Sequence, residues 1–199
     1  MKLLLGTRNP DKIAEIKELL PSDIEIVTAL DMQLPEVVED RDTIAGNAEK
    51  KALEYAQATG LLALADDTGF FVEALQGRPG VKAARYAGEN CSYQDNRHKM
   101  LNEMQNKQDR RAAFRTAAAL AIPDGIVATV LGEVQGEITQ TEIGSSGFGY
   151  DPIFRANETG KTFGEMNSAE KHKISHRGRA LQKIIPIILQ YKQQIENKK

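Results

Sequence analysis

The nine residues Leu61-Leu-Ala-Leu-Ala-Asp66-Asp67-Thr68-Gly69 carry most of the information about the fold of this chain. Their apolar first half is long enough for one buried strand. Two adjacent carboxylates follow it, and burying two like charges is costly unless a cation lies beside them. In open α/β sheets, ligands bind at the carboxyl ends of strands. The pattern therefore predicts either an acidic catalytic or metal-binding cluster at a strand end, or a simple turn with a helix N-cap, since Asp, Thr and Gly favour both.

Composition indicates an ordinary globular protein. The chain has 199 residues, 41% of them hydrophobic and 27% charged, which is enough to bury a core in one domain or two closely joined lobes. The net charge of −2 argues against a dedicated nucleic-acid binder. Cys91 is the single cysteine, so no intramolecular disulfide forms and a reducing compartment fits. We find no leader and no apolar run that could cross a membrane, so the expected location is the cytoplasm.

Hydrophobic periodicity and turn residues predict a mixed α/β sheet. Asn9 is the expected N-cap of the first helix, and Ser92 with Asp95 resembles a capping box. The Pro123-Asp124-Gly125 turn is expected to join two antiparallel strands. The predicted strands are 2–5, 24–28, 61–65, 111–122, 126–139 and 153–155, and the predicted helices are 10–20, 43–58, 70–75, one starting at 92, and 175–196.

The segment Gly6-Thr7-Arg8-Asn9-Pro10-Asp11-Lys12 joins the first strand to the first helix. Backbone N–H groups at a helix N-terminus, together with a hydroxyl, an amide and a lysine, suit the binding of phosphate. The glycine spacing of a Walker A loop is absent. The alternative interpretation is a plain helix start with a solvated lysine.

An acidic set suggests a hard divalent cation. It comprises Glu36, Glu39 and Asp40 in a loop, and the pair Asp66 and Asp67. Mg²⁺ takes oxygen ligands and commonly uses one or two carboxylates plus substrate phosphates. A phosphate-binding turn and a carboxylate pair in one chain therefore suggest Mg²⁺-dependent chemistry on a phosphoanhydride. For any single loop glutamate, simple solvation is the alternative.

Two further segments suit a nucleotide base. In the run 146–152, glycines allow close approach of a ligand, Phe148 and Tyr150 offer flat faces for stacking, and Asp151 can accept hydrogen bonds. The alternative is a tight turn with both rings in the core. The basic run 170–179 places His176 and Arg177 at a predicted helix start, where an anion or acceptor-rich ligand would explain the cations; a solvated basic face is the alternative.

These four segments, in this order, resemble the inosine triphosphatase (Ham1-like) family over essentially the whole chain. Residues 6–12 are similar to the family's Thr-Gly-Asn-x-x-Lys phosphate motif, with Arg8 standing where the family often has glycine. The segments 65–69, 80–86, 148–151 and 175–177 also fit. The chain departs from the family at Glu39-Asp40-Arg41-Asp42, where the family usually reads Glu-Glu-Thr-Gly.

The resemblance implies an α/β fold with a mixed twisted sheet, flanking helices and two lobes around a central active-site cleft, all in one domain spanning 1–199. It implies a homodimer that hydrolyses the purine nucleoside triphosphates dITP, ITP and XTP to the monophosphate and pyrophosphate. Asp67 would be the general base and a Mg²⁺ ligand, with Glu36 or Glu39 as a further metal ligand or water-mediated contact. The implied substrate-binding residues are Thr7, Arg8, Asn9, Pro10, Asp11, Lys12, Lys51, Thr68, Phe148, Gly149, Tyr150, Asp151, Lys171, His176 and Arg177.

Two other functions fit parts of the sequence. A pyrophosphatase of the related Maf type would act on other modified nucleotides, but the His176-Arg177 ending argues against it. A non-catalytic nucleotide sensor or RNA-binding module would use the same phosphate-binding turn and the basic run 171–179. The paired aspartates oppose that function, because an anion binder gains nothing from extra negative charge without a metal.

Overall fold

The computed structural model describes residues 1–197 and contains one mixed sheet flanked by helices. The strands follow the order β2-β1-β3-β5-β6-β7, and β4 pairs with β3. The strand β1 is parallel to both β2 and β3, whereas β3 with β4 and β6 with β7 are antiparallel. The strands are β1 (Lys2–Leu5), β2 (Glu25–Thr28), β3 (Leu62–Val72), β4 (Pro79–Gly80), β5 (Arg111–Ile122), β6 (Gly125–Ile138) and β7 (Phe154–Ala156).

Five α-helices lie in the described part of the chain. They are α1 (Pro10–Leu19), α2 (Ile44–Thr59), α3 (Tyr93–Glu103), α4 (Ser168–Ile174) and α5 (His176–Glu196). Their ends follow local sequence signals: Thr43 caps the start of α2, Gly60 ends it with a left-handed backbone, and Ser92 and Asp95 form the predicted capping box of α3. Among residues 1–197, no helix is long and apolar enough to span a membrane.

The chain divides into two compact units. Among the described residues, the first comprises 1–67, 116–132 and 177–197. Its core is aliphatic: α1 and α5 supply Ile16, Leu181 and Ile184, which pack with leucines of β1, β3 and β5. In this unit β1, β2 and the first half of β3 form parallel pairs, so their carboxyl ends point the same way.

The second unit comprises 68–115 and 133–176, and its core is aromatic. The Phe114 ring lies 4.4 Å from Phe70 and 4.8 Å from Phe154, measured between ring centroids. Offset and edge-on contacts of this kind add to the stabilisation that burial of the rings gives. These ring contacts join β3, β5 and β7 in the core of this unit.

The strand β3 is longer than predicted. The expected end at residue 65 and the expected helix over 70–75 are wrong, because the strand runs on through both aspartates and Thr68 to Val72, followed by a 3₁₀ turn at Glu73–Leu75. The acidic pair does not end the strand because cations neutralise it in place, as described below. Gly69 serves close approach, since a Cβ there would lie 2.5 Å from the Phe71 ring.

The C-terminal basic run forms two abutting helices where the sequence predicted one. Asn167 and Glu170 make a capping box that starts α4, and Ser175 ends it by donating its backbone N–H to the carbonyl of Lys171 at 2.8 Å. The final helix therefore begins at His176, one residue after its predicted start. The short strand predicted at 153–155 lies at Phe154–Ala156, a shift of one residue.

Candidate active site

The turn between β1 and α1 is held by its own side chains. Thr7 Oγ1 accepts a hydrogen bond from the backbone N–H of Asn9 at 3.2 Å. Asn9 Oδ1 accepts from the N–H groups of Asp11 at 2.9 Å and Lys12 at 3.3 Å. Asn9 is thus the N-cap and Pro10 occupies the first turn, as predicted. The turn presents the positive end of α1 in a fixed geometry.

Arg8 fits this turn without backbone strain. The non-glycine residues with a left-handed backbone among residues 1–197 are Gln33, Gln76 and Asn90. Arg8 is not among them and is exposed. The replacement of the family's glycine therefore adds an accessible cation and requires no unusual dihedral angle.

Asp66 lies at the centre of a buried ion network on one side of β3. Its Oδ2 accepts from Arg177 Nε at 3.2 Å and Nη2 at 3.0 Å, and lies 3.3 Å from Lys12 Nζ. The other end of the Arg177 guanidinium pairs with Glu15. Burial would raise the pKa of Asp66, but Lys12, Arg177 and Lys51 outweigh it and hold the pKa well below its usual range. Asp66 is thereby fixed as a carboxylate.

Asp67 has the opposite electrostatic environment. Its Oδ2 accepts from Asn47 Nδ2 at 3.0 Å, and its Oδ1 lies 3.9 Å from Lys51 Nζ. Burial and the charge of Glu39 raise the pKa of Asp67, against the opposing effects of Lys51, Lys12 and Asn47. A raised pKa brings a carboxylate closer to the pH at which a general base works best.

Lys51 links the loop after β2 to the acidic strand. Its Nζ lies 2.5 Å from Glu39 Oε1 and donates to the backbone carbonyl of Asp66 at 2.6 Å. Burial would lower the pKa of Lys51, but Asp67, Glu39 and Asp66 outweigh it and raise the pKa. Burial lowers the pKa of Lys12, with Asp66 opposing. Lys51 is therefore the ammonium on which both candidate metal-binding carboxylates converge.

The oxygen donors around Lys51 fit a hard cation such as Mg²⁺. Asp67 and Glu39 place two carboxylates near one positive charge. No cluster of three or more potential metal-binding side chains exists among the described residues. Mg²⁺ does not require one, because it keeps several waters and takes the rest of its ligands from substrate phosphates. Glu36 is exposed. Burial raises the pKa of the Tyr55 hydroxyl, and the negative charge of Glu36 raises it further.

The second unit holds the other set of predicted residues. Asp151 Oδ2 accepts from the backbone N–H of Phe148 at 2.8 Å and from Lys171 Nζ at 2.6 Å. Lys171 Nζ also lies 4.9 Å from the centroid of the Phe148 ring. Gly147 must be glycine, since its φ is +73° and a Cβ would lie 2.0 Å from Asp151 Oδ2. Phe148 is half-buried, and Gly149 supplies a carbonyl to Arg97.

Tyr150 and His176 belong to the aromatic core of this unit. Tyr150 donates its hydroxyl to the carbonyl of Ala83 at 2.8 Å and packs its ring 4.7 Å from Phe70, so the alternative interpretation of a core ring holds for this residue. The His176 ring stacks on Phe114 at 4.5 Å. Of the two aromatic faces considered from sequence, Phe148 is the more accessible one.

A sequence model of the Ham1 family matches residues 3–187. This chain belongs to the Ham1 family. The family resemblance seen in the motifs is confirmed, and so is the α/β fold with its mixed sheet and flanking helices. The "dITP/XTP pyrophosphatase" of Flavobacterium johnsoniae is 42% identical over 94% of this chain and 98% of its own length. The protein of that name from Geobacter sulfurreducens is 45% identical over 90% of this chain and 92% of its own.

Solved structures agree with the family assignment. The Ham1 protein of Staphylococcus aureus superposes with a TM-score of 0.86 at 34% identity, covering 96% of this chain and 100% of that one. A HAM1 protein from Coxiella burnetii gives 0.85 at 35% identity, covering 96% and 99%.

Sequence reasoning missed Asn47 in this Ham1 chain. Asn47 donates to Asp67 and accepts from the backbone N–H of Arg41 at 2.9 Å, so it joins α2, β3 and the acidic loop. A signal was available: Asn47 and Lys51 stand four residues apart on the same face as the buried Ile44 and Ala48. Polar residues on the apolar face of a helix need partners, and this signal points to Asn47 as it does to Lys51, which the family resemblance had already named.

Proposed function

We propose that this chain hydrolyses the non-standard purine nucleoside triphosphates dITP, ITP and XTP to the monophosphate and pyrophosphate. The observation that carries the proposal is that two adjacent aspartates have different partners: Asp66 pairs with Arg177 and Lys12, whereas Asp67 contacts Asn47 and Lys51 and its pKa is raised. Pairs of titratable groups whose pKa values are pushed apart are typical of acid–base catalysis. The names of the relatives support the choice of substrates.

The phosphate-binding part of the proposal concerns the first unit. Residues Thr7 to Lys12 and Lys51 would hold the triphosphate, with the positive end of α1 and the exposed Arg8 adding favourable charge. Asp67 and Glu39 would hold Mg²⁺, and Glu39 is favoured over Glu36 because it lies against Lys51. When bound, Mg²⁺ would neutralise charge on the phosphate oxygens.

In the chemical step, the oxygen of a water molecule attacks the α-phosphorus. The bond from the α-phosphorus to the oxygen bridging to the β-phosphorus breaks, and pyrophosphate leaves. Asp67 orients the water and takes its proton, for which its raised pKa suits it. Asn47 fixes the carboxylate through Oδ2, and Lys51 opposes the charge that develops on the phosphates.

The base-binding part of the proposal concerns the second unit. The half-buried ring of Phe148 would stack on the purine, and Lys171 with Asp151 would bind its edge. A lysine ammonium donates a hydrogen bond to a 6-oxo group, which accepts it, whereas the 6-amino group of adenine is itself a donor. Leaving one donor unpaired costs about 1–3 kcal/mol, which favours dITP, ITP and XTP over ATP.

The proposal extends to the assembly. By family resemblance the chain acts as a homodimer in the cytoplasm, with the nucleotide as its partner and without binding nucleic acid. Light scattering after size-exclusion chromatography tests the dimer, because a mass near 21.9 kDa would identify a monomer instead.

Pyrophosphate release from dITP, XTP, GTP and ATP, measured with Mg²⁺ and with EDTA, tests the activity. We expect turnover of dITP and XTP that requires the metal. Equal turnover of ATP and dITP, or full activity in EDTA, would contradict the proposal. Nucleotide binding without product would favour the sensor, and a preference for modified pyrimidine nucleotides would favour the Maf-type activity.

A further inference from the structure

The loop that carries Phe148 contains three glycines. Gly144, Gly147 and Gly149 all have left-handed backbones, with φ of +80°, +73° and +61°. Glycine loses more conformational freedom on ordering than other residues, so a loop with three of them needs external contacts to hold one shape. The position of the Phe148 ring therefore depends on the residues that contact this loop.

Asp151 and Lys171 contact the loop at Phe148. Asp151 Oδ2 holds the backbone N–H of Phe148, and Lys171 Nζ pairs with the same oxygen beside the ring. Both residues are already part of the proposed base-binding set.

The helix α3 also contacts the loop, through Arg97, a residue that has no role in the proposed function. Arg97 Nη1 donates to the carbonyl of Gly149 at 2.9 Å, and Arg97 Nε lies 3.0 Å from Glu142 Oε1. One guanidinium thus ties both ends of the loop, and it is well enclosed, with a side chain 15% exposed. The hydrogen bond from the guanidinium to the Gly149 carbonyl is charge-assisted and therefore stronger than a neutral one, whereas the Glu142 contact is an ion pair in which Nε makes no hydrogen bond to any described residue.

Tyr93, on the same helix, contacts the Phe148 ring. It stands four residues before Arg97, one turn away on the same face of α3. Its ring centroid lies 5.8 Å from that of Phe148, with the planes inclined at 41°. The same helix face therefore supplies a ring against Phe148 and a cation at the ends of its loop.

We propose that Arg97 is a positioning residue for the nucleobase: it holds loop 142–149 so that the Phe148 ring is kept ready to stack. The contacts of Arg97 with Gly149 and Glu142 are observed directly, whereas their role toward a nucleobase rests on the proposed function. A preformed ring lowers the ordering cost of binding. Because stacking acts equally on the bound substrate and the transition state, loss of Arg97 raises KM and leaves kcat unchanged.

The first test follows the ring without any nucleotide. The chain contains no tryptophan, so Phe148→Trp introduces a single fluorescent reporter at this position. In the nucleotide-free protein, Arg97→Ala should lower the fluorescence anisotropy of Trp at 148 and shift its emission to the red. Arg155→Ala is the matched control in the same unit, since it removes a guanidinium paired with Glu137 at 3.1 Å. Unchanged anisotropy in Arg97→Ala would overturn the proposal.

The second test is kinetic. In the protein with its native Phe148, Arg97→Ala should raise KM for dITP about threefold to tenfold, as expected for the loss of one net hydrogen bond, with kcat unchanged. In a Phe148→Ala background the same change should alter KM less than about twofold, because the ring it positions is gone. Arg97→Lys should recover part of the loss. Equal effects in both backgrounds would refute positioning through Phe148, whereas a wild type inactive on all nucleotides would refute the proposed function and leave the anisotropy test valid.

Discussion

The sharpest prediction concerns Arg177, whose guanidinium is spent on carboxylates inside the first unit. It donates to Asp66 through Nε and Nη2 and to Glu15 through Nη1, with a side chain only 3% exposed. Replacing it with methionine keeps most of the volume and removes the charge. The change leaves Asp66, 2% exposed, with Lys12 as its main cation.

The size of the effect follows from burial. Removing one partner of a buried ion pair costs about 3–5 kcal/mol, because the remaining charge is left without compensation. Glu15 adds less, since its side chain is less deeply buried than that of Asp66, at 14% against 3% exposed. For a chain of this length, each kcal/mol lowers the melting temperature by about 2–4 °C, so Arg177→Met should lose roughly 6–20 °C.

Urea unfolding and calorimetry measure this loss against a matched control. Arg155→Met removes an arginine paired with Glu137 at the surface, with side chains 38% and 47% exposed, and should cost about 0–1 kcal/mol. If the penalty comes from the stranded carboxylate, Asp66→Asn introduced into Arg177→Met should recover roughly half of it or more. A loss below about 1 kcal/mol for Arg177→Met, or no recovery in the double variant, would refute the reasoning.

Three further outcomes follow from the same contacts. The pKa of Asp66 in the folded protein lies below its unfolded value of about 3.9, so the stabilisation that Asp66 gives is fully present above that pH and is lost as pH falls through the folded pKa. The drop in unfolding free energy from pH 7 to pH 3 should therefore be smaller in Asp66→Asn than in wild type. An equal drop in the two proteins would contradict this. The pKa of Asp67 is raised by folding, so Asp67→Asn should not lower stability, while kcat for dITP should fall about 10²–10⁴-fold; retained turnover would remove Asp67 from its role. Asn47→Leu should lower the free energy of unfolding in urea by about 1–3 kcal/mol, because the backbone N–H of Arg41 and an oxygen of Asp67 lose their hydrogen-bond partner. Asn102→Leu, at an exposed position of α3, should be nearly neutral, and similar losses in both variants would contradict the assignment.

Much of the fold could be predicted because its signals are local. The cap at Asn9, the stop at Gly60 and the capping box of Ser92 with Asp95 each act within one turn of a helix. The strands β5 and β6 follow one another in the sheet with two residues, 123–124, between them, and so short a connection makes them antiparallel, as expected. Such features depend on a few neighbouring residues, which the sequence displays directly.

The missed features depend on distant partners. The continuation of β3 requires Lys12 and Arg177, and Arg177 lies 111 residues from Asp66 along the chain. Likewise, the sequence leaves open whether Tyr150 is a stacking face or a core ring, because its hydroxyl partner is Ala83, 67 residues away. Spacing along the chain carries no information about such pairs, since tertiary packing decides them.

The continuation of β3 through the acidic pair also explains why two adjacent aspartates differ in chemistry. Successive side chains of a strand point to opposite faces of the sheet, so Asp66 and Asp67 meet different helices. Asp66 faces α1 and α5, which supply Lys12 and Arg177, whereas Asp67 faces α2, which supplies Asn47 and Lys51. In a turn, both carboxylates would share one solvated environment and titrate alike. The strand therefore separates an aspartate whose pKa is lowered by its cations from one whose pKa is raised.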